Sequence, residues 1–140
     1  MRGTLHRKPI KVCIVEDSIP LQLIEKRWLL SRGVVPDCFD SVEKFLIALP
    51  EYKDKHLVII TDFNLGVGKM NGVDLVKLLR LATDAKIIAT SSELGPEQLF
   101  LKLGCMFLAK PLEKDIFLNA FALSGVKLSE VEYPMSPSIH

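Results

Sequence analysis

The chain has 140 residues, of which 49% are apolar and 25% charged, so it has the size and composition of one folded domain rather than a disordered chain. Its net charge of +1 gives no overall attraction to nucleic acid or an anionic membrane. The three cysteines, Cys13, Cys38 and Cys105, lie far apart in apolar contexts and indicate buried thiols rather than a disulfide or zinc site. With no apolar leader and no run long enough to cross a bilayer, the sequence predicts a cytoplasmic protein.

Strands and helices are predicted to alternate from residue 10 onward. The apolar runs and their turn signals place strands at 10–16, 34–39, 57–61, 86–89 and 106–109. Cap residues, glycines and prolines place helices at 18–32, 42–49, 73–81, 96–103 and 112–123, with a polar loop over 51–56. In the first helix, Leu21, Ile24 and Trp28 recur at helical spacing and are predicted to face the sheet.

Five rounds of strand then helix predict an α/β fold with a doubly wound parallel sheet and helices on both faces. The nearly continuous apolar character of the strands is typical of a sheet covered on both sides. We expect one domain over residues 10–124, a flexible N-terminal arm over 1–9 and a flexible C-terminal tail over 125–140.

Four of the five strands run into residues that can take part in chemistry, namely Glu16 with Asp17, Asp62, Thr90 and Lys110. The carboxyl ends of parallel strands face one way, so these groups should converge at the edge where such sheets bind ligands. Three neighbouring carboxylates need a counter-charge, and their oxygen ligands suit Mg²⁺. Lys110 would supply a compact positive charge and Thr90 a hydroxyl donor.

Each of these residues also has an ordinary structural explanation. Asp62 could be a turn residue, and Glu16 with Asp17 could be acids favoured at the start of a helix. Thr90 could simply end a strand, and Lys110 could extend along the surface to solvent. We favour the functional interpretation because the residues form an ordered set on one predicted sheet edge.

The same motifs resemble those of the receiver domain of two-component response regulators, the CheY-like family. The matching segments are 15–18 (Val-Glu-Asp-Ser), 59–62 (Ile-Ile-Thr-Asp), 89–91 (Ala-Thr-Ser) and 107–111 (Phe-Leu-Ala-Lys-Pro), the last preceded by Gly104. The resemblance covers about residues 10–124. It implies a flavodoxin-like, five-stranded sheet with strand order 2-1-3-4-5.

The resemblance also implies a role for each site residue. Asp62 would accept a phosphoryl group from a phosphohistidine on a histidine kinase or phosphotransfer protein. Asp17 would hold Mg²⁺ directly and Glu16 largely through water, with Asp62 and the backbone carbonyl of Asn64 completing the metal site. The resulting protein would be a phosphoacceptor rather than an enzyme, with autodephosphorylation left open.

In the same resemblance, Thr90 and Lys110 would bind phosphoryl oxygens, and the Lys110–Pro111 peptide would be cis. Movement of Thr90 would let Phe107 turn inward and so switch a surface that binds a downstream effector protein. Phe107 has no hydroxyl, and a plain core role for this phenylalanine is an equal alternative.

The chain departs from the family pattern in the loop after Asp62. Gly66 stands where a proline is usual, and the loop is about two residues longer, a change that loops tolerate. Ser92 leaves the lifetime of the phosphoryl group undecided. One alternative function is a receiver-like interaction module that works without phosphorylation. Another is a Mg²⁺-dependent phosphatase with an aspartate nucleophile, which is disfavoured because Asn64 stands where that class carries an acid.

Overall fold

Five parallel strands alternate with five α-helices in the computed structural model, which describes residues 8–64, 70–93 and 95–134. The strands form one sheet of order β2-β1-β3-β4-β5, so the predicted fold class and strand order are confirmed. The strands are β1 (Ile10–Val15), β2 (Asp37–Phe39), β3 (His56–Asp62), β4 (Lys86–Ser91) and β5 (Met106–Ala109). The helices are α1 (Ile19–Leu30), α2 (Val42–Ala48), α3 (Gly72–Ala82), α4 (Glu97–Lys102) and α5 (Lys114–Leu123).

The strands are apolar on both sides because helices cover both faces of the sheet. Alternate residues of β3 point to opposite faces, and both Ile59 and Ile60 are buried. Ile59 packs in a core with Phe45 of α2 and Phe100 of α4. Ile60 packs in a second core that includes Phe117 of α5. These two cores hold β3 rigidly, and β3 carries Asp62 at its end.

Several predicted boundaries differ from the structure by one to three residues, and β2 spans Asp37–Phe39 instead of the predicted 34–39. Two of the differences have clear local reasons. The α1 helix ends at Leu30, two residues before the predicted limit, and a turn leads into Gly33 at φ 79°. The sequence predicts a polar loop over 51–56. This is wrong for its first two residues, because a 3-10 helix spans Leu49–Tyr52. A proline fits the first turn of a helix, where its missing N–H has no partner to lose.

The sheet-facing side of α1 is also not the predicted one. Its buried residues are Glu25 and Leu29, whereas the predicted core residue Ile24 is 42% exposed. Leu21 and Trp28 are half-buried, and the Trp28 ring lies 5.1 Å from that of Phe117. The apolar residues of α1 occupy more than one side of the helix, so their spacing alone does not select the side that faces the sheet.

The segment after α5 contacts the end of α1. The backbone N–H groups of Ser129 and Tyr133 donate to the carbonyls of Arg32 and Ser31, at 2.8 and 2.7 Å. The first ten residues of the predicted tail, 125–134, are thus described, and Val126 among them is buried. Residues 1–7 and 135–140 lie outside the described residues, and the flexibility of the arm and of the tail stays a prediction.

Cys13 and Cys105 are buried as expected, Cys38 is half-buried, and all three thiols are free. None of the helices within the described ranges is both long enough and apolar enough to cross a membrane.

Candidate phosphoacceptor and metal site

Three carboxylates meet at the carboxyl edge of the sheet. Glu16 and Asp17 directly follow β1, and Asp62 is the last residue of β3. One carboxylate oxygen from each residue lies within 4.8 Å of the others. Glu16 and Asp62 are 2% and 7% exposed, whereas Asp17 is open to solvent. The parallel sheet therefore brings these acids from separate parts of the chain to one shallow, partly dry site.

Lys110 lies between the two buried carboxylates. Its Nζ atom is 3.1 Å from Oε1 of Glu16 and 3.2 Å from Oδ1 of Asp62. Burial acts to lower the pKa of Lys110, but the carboxylates of Asp62 and Glu16 outweigh it and raise that pKa. Lys110 is therefore charged, and it neutralises one of the three negative charges.

Burial has the opposite effect on the acids. It raises the pKa of Asp62, against the opposing influence of Lys110. It also raises the pKa of Glu16, and the charge of Asp62 adds to that shift. One lysine does not offset three carboxylates, so the ionised cluster keeps a surplus of negative charge.

The donor set fits a small divalent cation. Three carboxylates in a cluster of this width offer the hard oxygen ligands that Mg²⁺ prefers, and the exposure of Asp17 leaves room for water ligands. A double positive charge would balance the surplus that Lys110 leaves. Glu16, Asp17 and Asp62 are therefore the residues that would hold the metal.

Glu16 is fixed in place by the start of α1. The backbone N–H of Ser18 donates to Oε2 of Glu16 at 3.1 Å, and the side chain of Gln22 donates to the Glu16 carbonyl at 3.0 Å. Ser18 in turn caps α1 by accepting from the N–H of Leu21. The acid pair and the helix start are thus built as one unit.

Gly72 sets the position of Asp62 from the other side. A Cβ atom on Gly72 would lie 2.5 Å from the carbonyl oxygen of Asp62, closer than any real contact allows. The chain returns here because the N–H of Gly72 donates to the carbonyl of Phe63, whose own N–H donates to Thr90. Only glycine lets the start of α3 approach Asp62 this closely.

Thr90 lies beside Asp62 in the register of β3 and β4 and is 1% exposed. Its Oγ1 atom donates to the carbonyl of Thr61 at 3.5 Å, which is long for a hydroxyl hydrogen bond. The hydroxyl can therefore leave this acceptor for a better one at little cost.

Asn64, which is predicted to complete the metal site, makes its side-chain contact with an acid outside the cluster. The side-chain amide of Asn64 donates to Glu93 at 3.2 Å, so this side chain is engaged away from the cluster. The predicted metal contact through its backbone carbonyl stays a prediction. Gly66 and the extra loop residues lie outside the described residues.

Phe107 is half-buried, and its ring centroid lies 6.2 Å from that of Phe100. The Phe100 ring also lies 5.9 Å, between ring centroids, from that of Phe63, the residue that follows Asp62. A continuous aromatic row thus links the site to α4 and β5. The predicted cis peptide between Lys110 and Pro111 is present.

Glu25, which the sequence patterns did not mark as part of the site, has a buried carboxyl that interacts electrostatically with Glu16, Lys110 and Asp62. Burial raises the pKa of Glu25 to about 8. The sequence held one signal for it, because an acid among apolar residues on a sheet-covering helix is unusual.

The sequence matches no protein-family model and no curated protein, so similarity was found only among solved structures. A response regulator receiver protein from Pseudomonas putida is 24% identical, with a TM-score of 0.72 over 85% of this chain and 99% of that one. The receiver protein from Burkholderia phymatum is 23% identical, with a TM-score of 0.72 over 86% and 98%. The chemotaxis response regulator CheY4 of Vibrio cholerae is 24% identical, with a TM-score of 0.71 over 83% and 98%.

The molecule is an α/β domain with an acidic cluster and a lysine at the carboxyl edge of a parallel sheet. That fold is the CheY-like receiver fold, as the solved structures show over most of the chain.

Proposed function

We propose that this chain is a response regulator receiver that accepts a phosphoryl group on Asp62 in a Mg²⁺-dependent reaction. The observation that carries the proposal is the cluster itself. Carboxylates of Glu16, Asp17 and Asp62 lie within 4.8 Å of one another, and Lys110 binds two of them. If these acids served only to cap a helix or form a turn, there would be no reason for them to meet around one lysine.

The chemistry assigned to Asp62 is nucleophilic attack on phosphorus. One carboxylate oxygen forms the new P–O bond, and the P–N bond to the donor imidazole breaks. The imidazole nitrogen keeps the electron pair and takes a proton from solvent. Lys110 would exchange its contact with Asp62 for a contact with a phosphoryl oxygen, and Thr90 would donate its weakly held hydroxyl to another.

Glu16, Asp17 and Asp62 would hold Mg²⁺, which when bound supplies the positive charge that phosphoryl transfer needs between approaching anions. Before reaction, these residues and Lys110 orient the acceptor oxygen. Asp62 is buried, so little water would reach its acceptor oxygen to compete with the phosphoryl group for contact.

The output would be a change in a protein-binding surface. Once Thr90 turns toward the phosphoryl group, the space beside Phe107 changes, and Phe100 would transmit that change to α4. The upstream partner would be a histidine kinase or histidine phosphotransfer protein, and the downstream partner an effector protein, all in the cytoplasm. The chain would be a phosphoacceptor and not a turnover enzyme, with no direct contact to nucleic acid or membrane.

The direct test is phosphorylation with acetyl phosphate and Mg²⁺, followed by intact-mass spectrometry. Wild type should gain one acid-stable, base-labile phosphoryl group, because an aspartyl phosphate is an acyl phosphate. Asp62→Asn should gain none, and Asp17→Asn should react much more slowly. Asp54→Asn, a change of an exposed acid in a turn away from the cluster, is the matched control and should react as wild type does.

Equal labelling of wild type and Asp62→Asn would contradict the proposal. Failure of wild type to be labelled by acetyl phosphate, and by a phosphohistidine donor, would instead favour the receiver-like interaction module that works without phosphorylation.

A further inference from the structure

A cavity lies next to the candidate phosphoacceptor site, between α1 and the connection from β5 to α5. Its volume is about 470 Å³, within the range of small-molecule sites in proteins. Its lining is mainly apolar, with Leu21, Ile24, Trp28 and Leu112, and it also includes the charged side chain of Lys110. The cavity is therefore suited to a compact apolar group.

Glu25 gives this apolar cavity an acid. Its side chain lines the cavity but is only 2% exposed. Across the described residues, neither a hydrogen bond nor an ion pair joins the Glu25 carboxyl to a partner. A buried carboxyl without a partner costs several kcal/mol relative to one in water, and native proteins seldom keep one without a use.

The charges around Glu25 favour a positive partner. Glu16 and Asp62 both act on it electrostatically, against a single cation, Lys110. Lys110 is itself engaged, at 3.1 and 3.2 Å, by those same two acids. Burial keeps the pKa of Glu25 near 8, which is the response of an acid that lacks a counter-charge.

We propose that this cavity binds a small organic cation with an apolar body, such as an arylalkylamine, whose ammonium group pairs with Glu25. The apolar body would pack against Leu21, Ile24 and Leu112. The Trp28 ring, which also lines the cavity, would add a cation–π contact. Lys110 also lines the cavity, but its charge is already paired with Glu16 and Asp62, whereas a neutral ligand would leave the charge of an ionised Glu25 unpaired. The proposal does not depend on phosphorylation of Asp62.

The test uses 2-phenylethylamine and its neutral isostere 2-phenylethanol as probes above pH 8, where the carboxyl of Glu25 is ionised. Trp28 is the only tryptophan, so its fluorescence reports on the cavity directly. The amine should give a saturable change and bind about tenfold more tightly than the alcohol. Glu25→Gln keeps the shape of the side chain and should bring the two probes to within about twofold of each other.

Asp54→Asn, at the exposed acid away from the cluster, is the matched control and should keep the preference for the amine. No phosphoryl donor is present in these measurements, so this result and the phosphorylation result can fail separately. Equal binding of amine and alcohol by wild type would overturn the proposal, and so would a Glu25→Gln protein that still prefers the amine. The absence of any saturable change in wild type would overturn it as well. The comparison of two probes in wild type stands even if the variant fails to fold.

Discussion

Replacing Glu25 by glutamine should change how the stability of the protein depends on pH. In the folded protein, burial raises the pKa of this carboxyl from its ordinary value of 4.5 to about 8. The folded state therefore keeps the proton up to about pH 8, whereas the unfolded chain releases it near pH 4.5. The stability associated with Glu25 is fully present below the unfolded pKa and is lost as pH rises through the folded one.

The magnitude follows from the two pKa values. Each pH unit between 4.5 and about 8 is worth about 1.4 kcal/mol, so ionisation of Glu25 should cost wild type at most about 5 kcal/mol by pH 8. Glutamine does not titrate. The free energy of unfolding of Glu25→Gln minus that of wild type should therefore rise with pH and level off above about pH 8.

Urea denaturation of both proteins from about pH 5 to about pH 9 measures this difference directly. Glu16, Lys110 and Asp62 act on Glu25 and are present in both proteins, so their own titrations largely cancel in the comparison. Glu97→Gln, at an exposed acid of α4, is the matched control and should show a flat difference. A flat difference for Glu25→Gln too would show that the carboxyl is already ionised or paired in the folded state, contrary to this prediction.

Two further changes probe the cluster. Lys110→Met leaves Glu16 and Asp62 buried without a positive partner, so without divalent metal it should lower the free energy of unfolding at neutral pH by about 3 kcal/mol. Added Mg²⁺ should bind this variant more tightly than wild type and restore part of the loss, as measured by urea denaturation. Gly72→Ala places a Cβ atom 2.5 Å from the Asp62 carbonyl and should cost about 1–3 kcal/mol and weaken Mg²⁺ binding. Gly95→Ala, with no described atom within 4 Å of the added Cβ, should change stability by less than about 0.5 kcal/mol.

Unchanged stability in Lys110→Met, with or without Mg²⁺, would mean that the two acids are not held as ions beside the lysine. Equal effects of the alanine substitutions at positions 72 and 95 would show that close approach to Asp62 does not constrain the loop.

The convergence of Glu16, Asp62 and Lys110 could be predicted because it depends on one general rule. Parallel strands present all their carboxyl ends at one edge, so residues that follow buried apolar runs must meet there. Neither the distances nor the burial of each acid follows from that rule. They depend on the start of α1 and the approach of α3, which are tertiary features.

The orientation of α1 shows where a sequence pattern becomes insufficient. Its apolar residues occupy several sides of the helix, so spacing suggested Ile24 as core, while packing against the sheet buries Glu25. Only the contacts of the folded chain decide between such sides. The same holds for Gly72, because a glycine in a glycine-rich loop gives no sign that it approaches Asp62.

The acidic cluster should bind a divalent cation and a phosphoryl group together. A crystal structure determined with Mg²⁺ and beryllofluoride would show whether it does. We predict beryllofluoride bonded to an Asp62 oxygen, a metal contacting Asp17, and Lys110 moved from its 3.2 Å contact with Asp62 to a fluorine. An empty cluster in well-ordered crystals, with both Lys110 ion pairs unchanged, would contradict it.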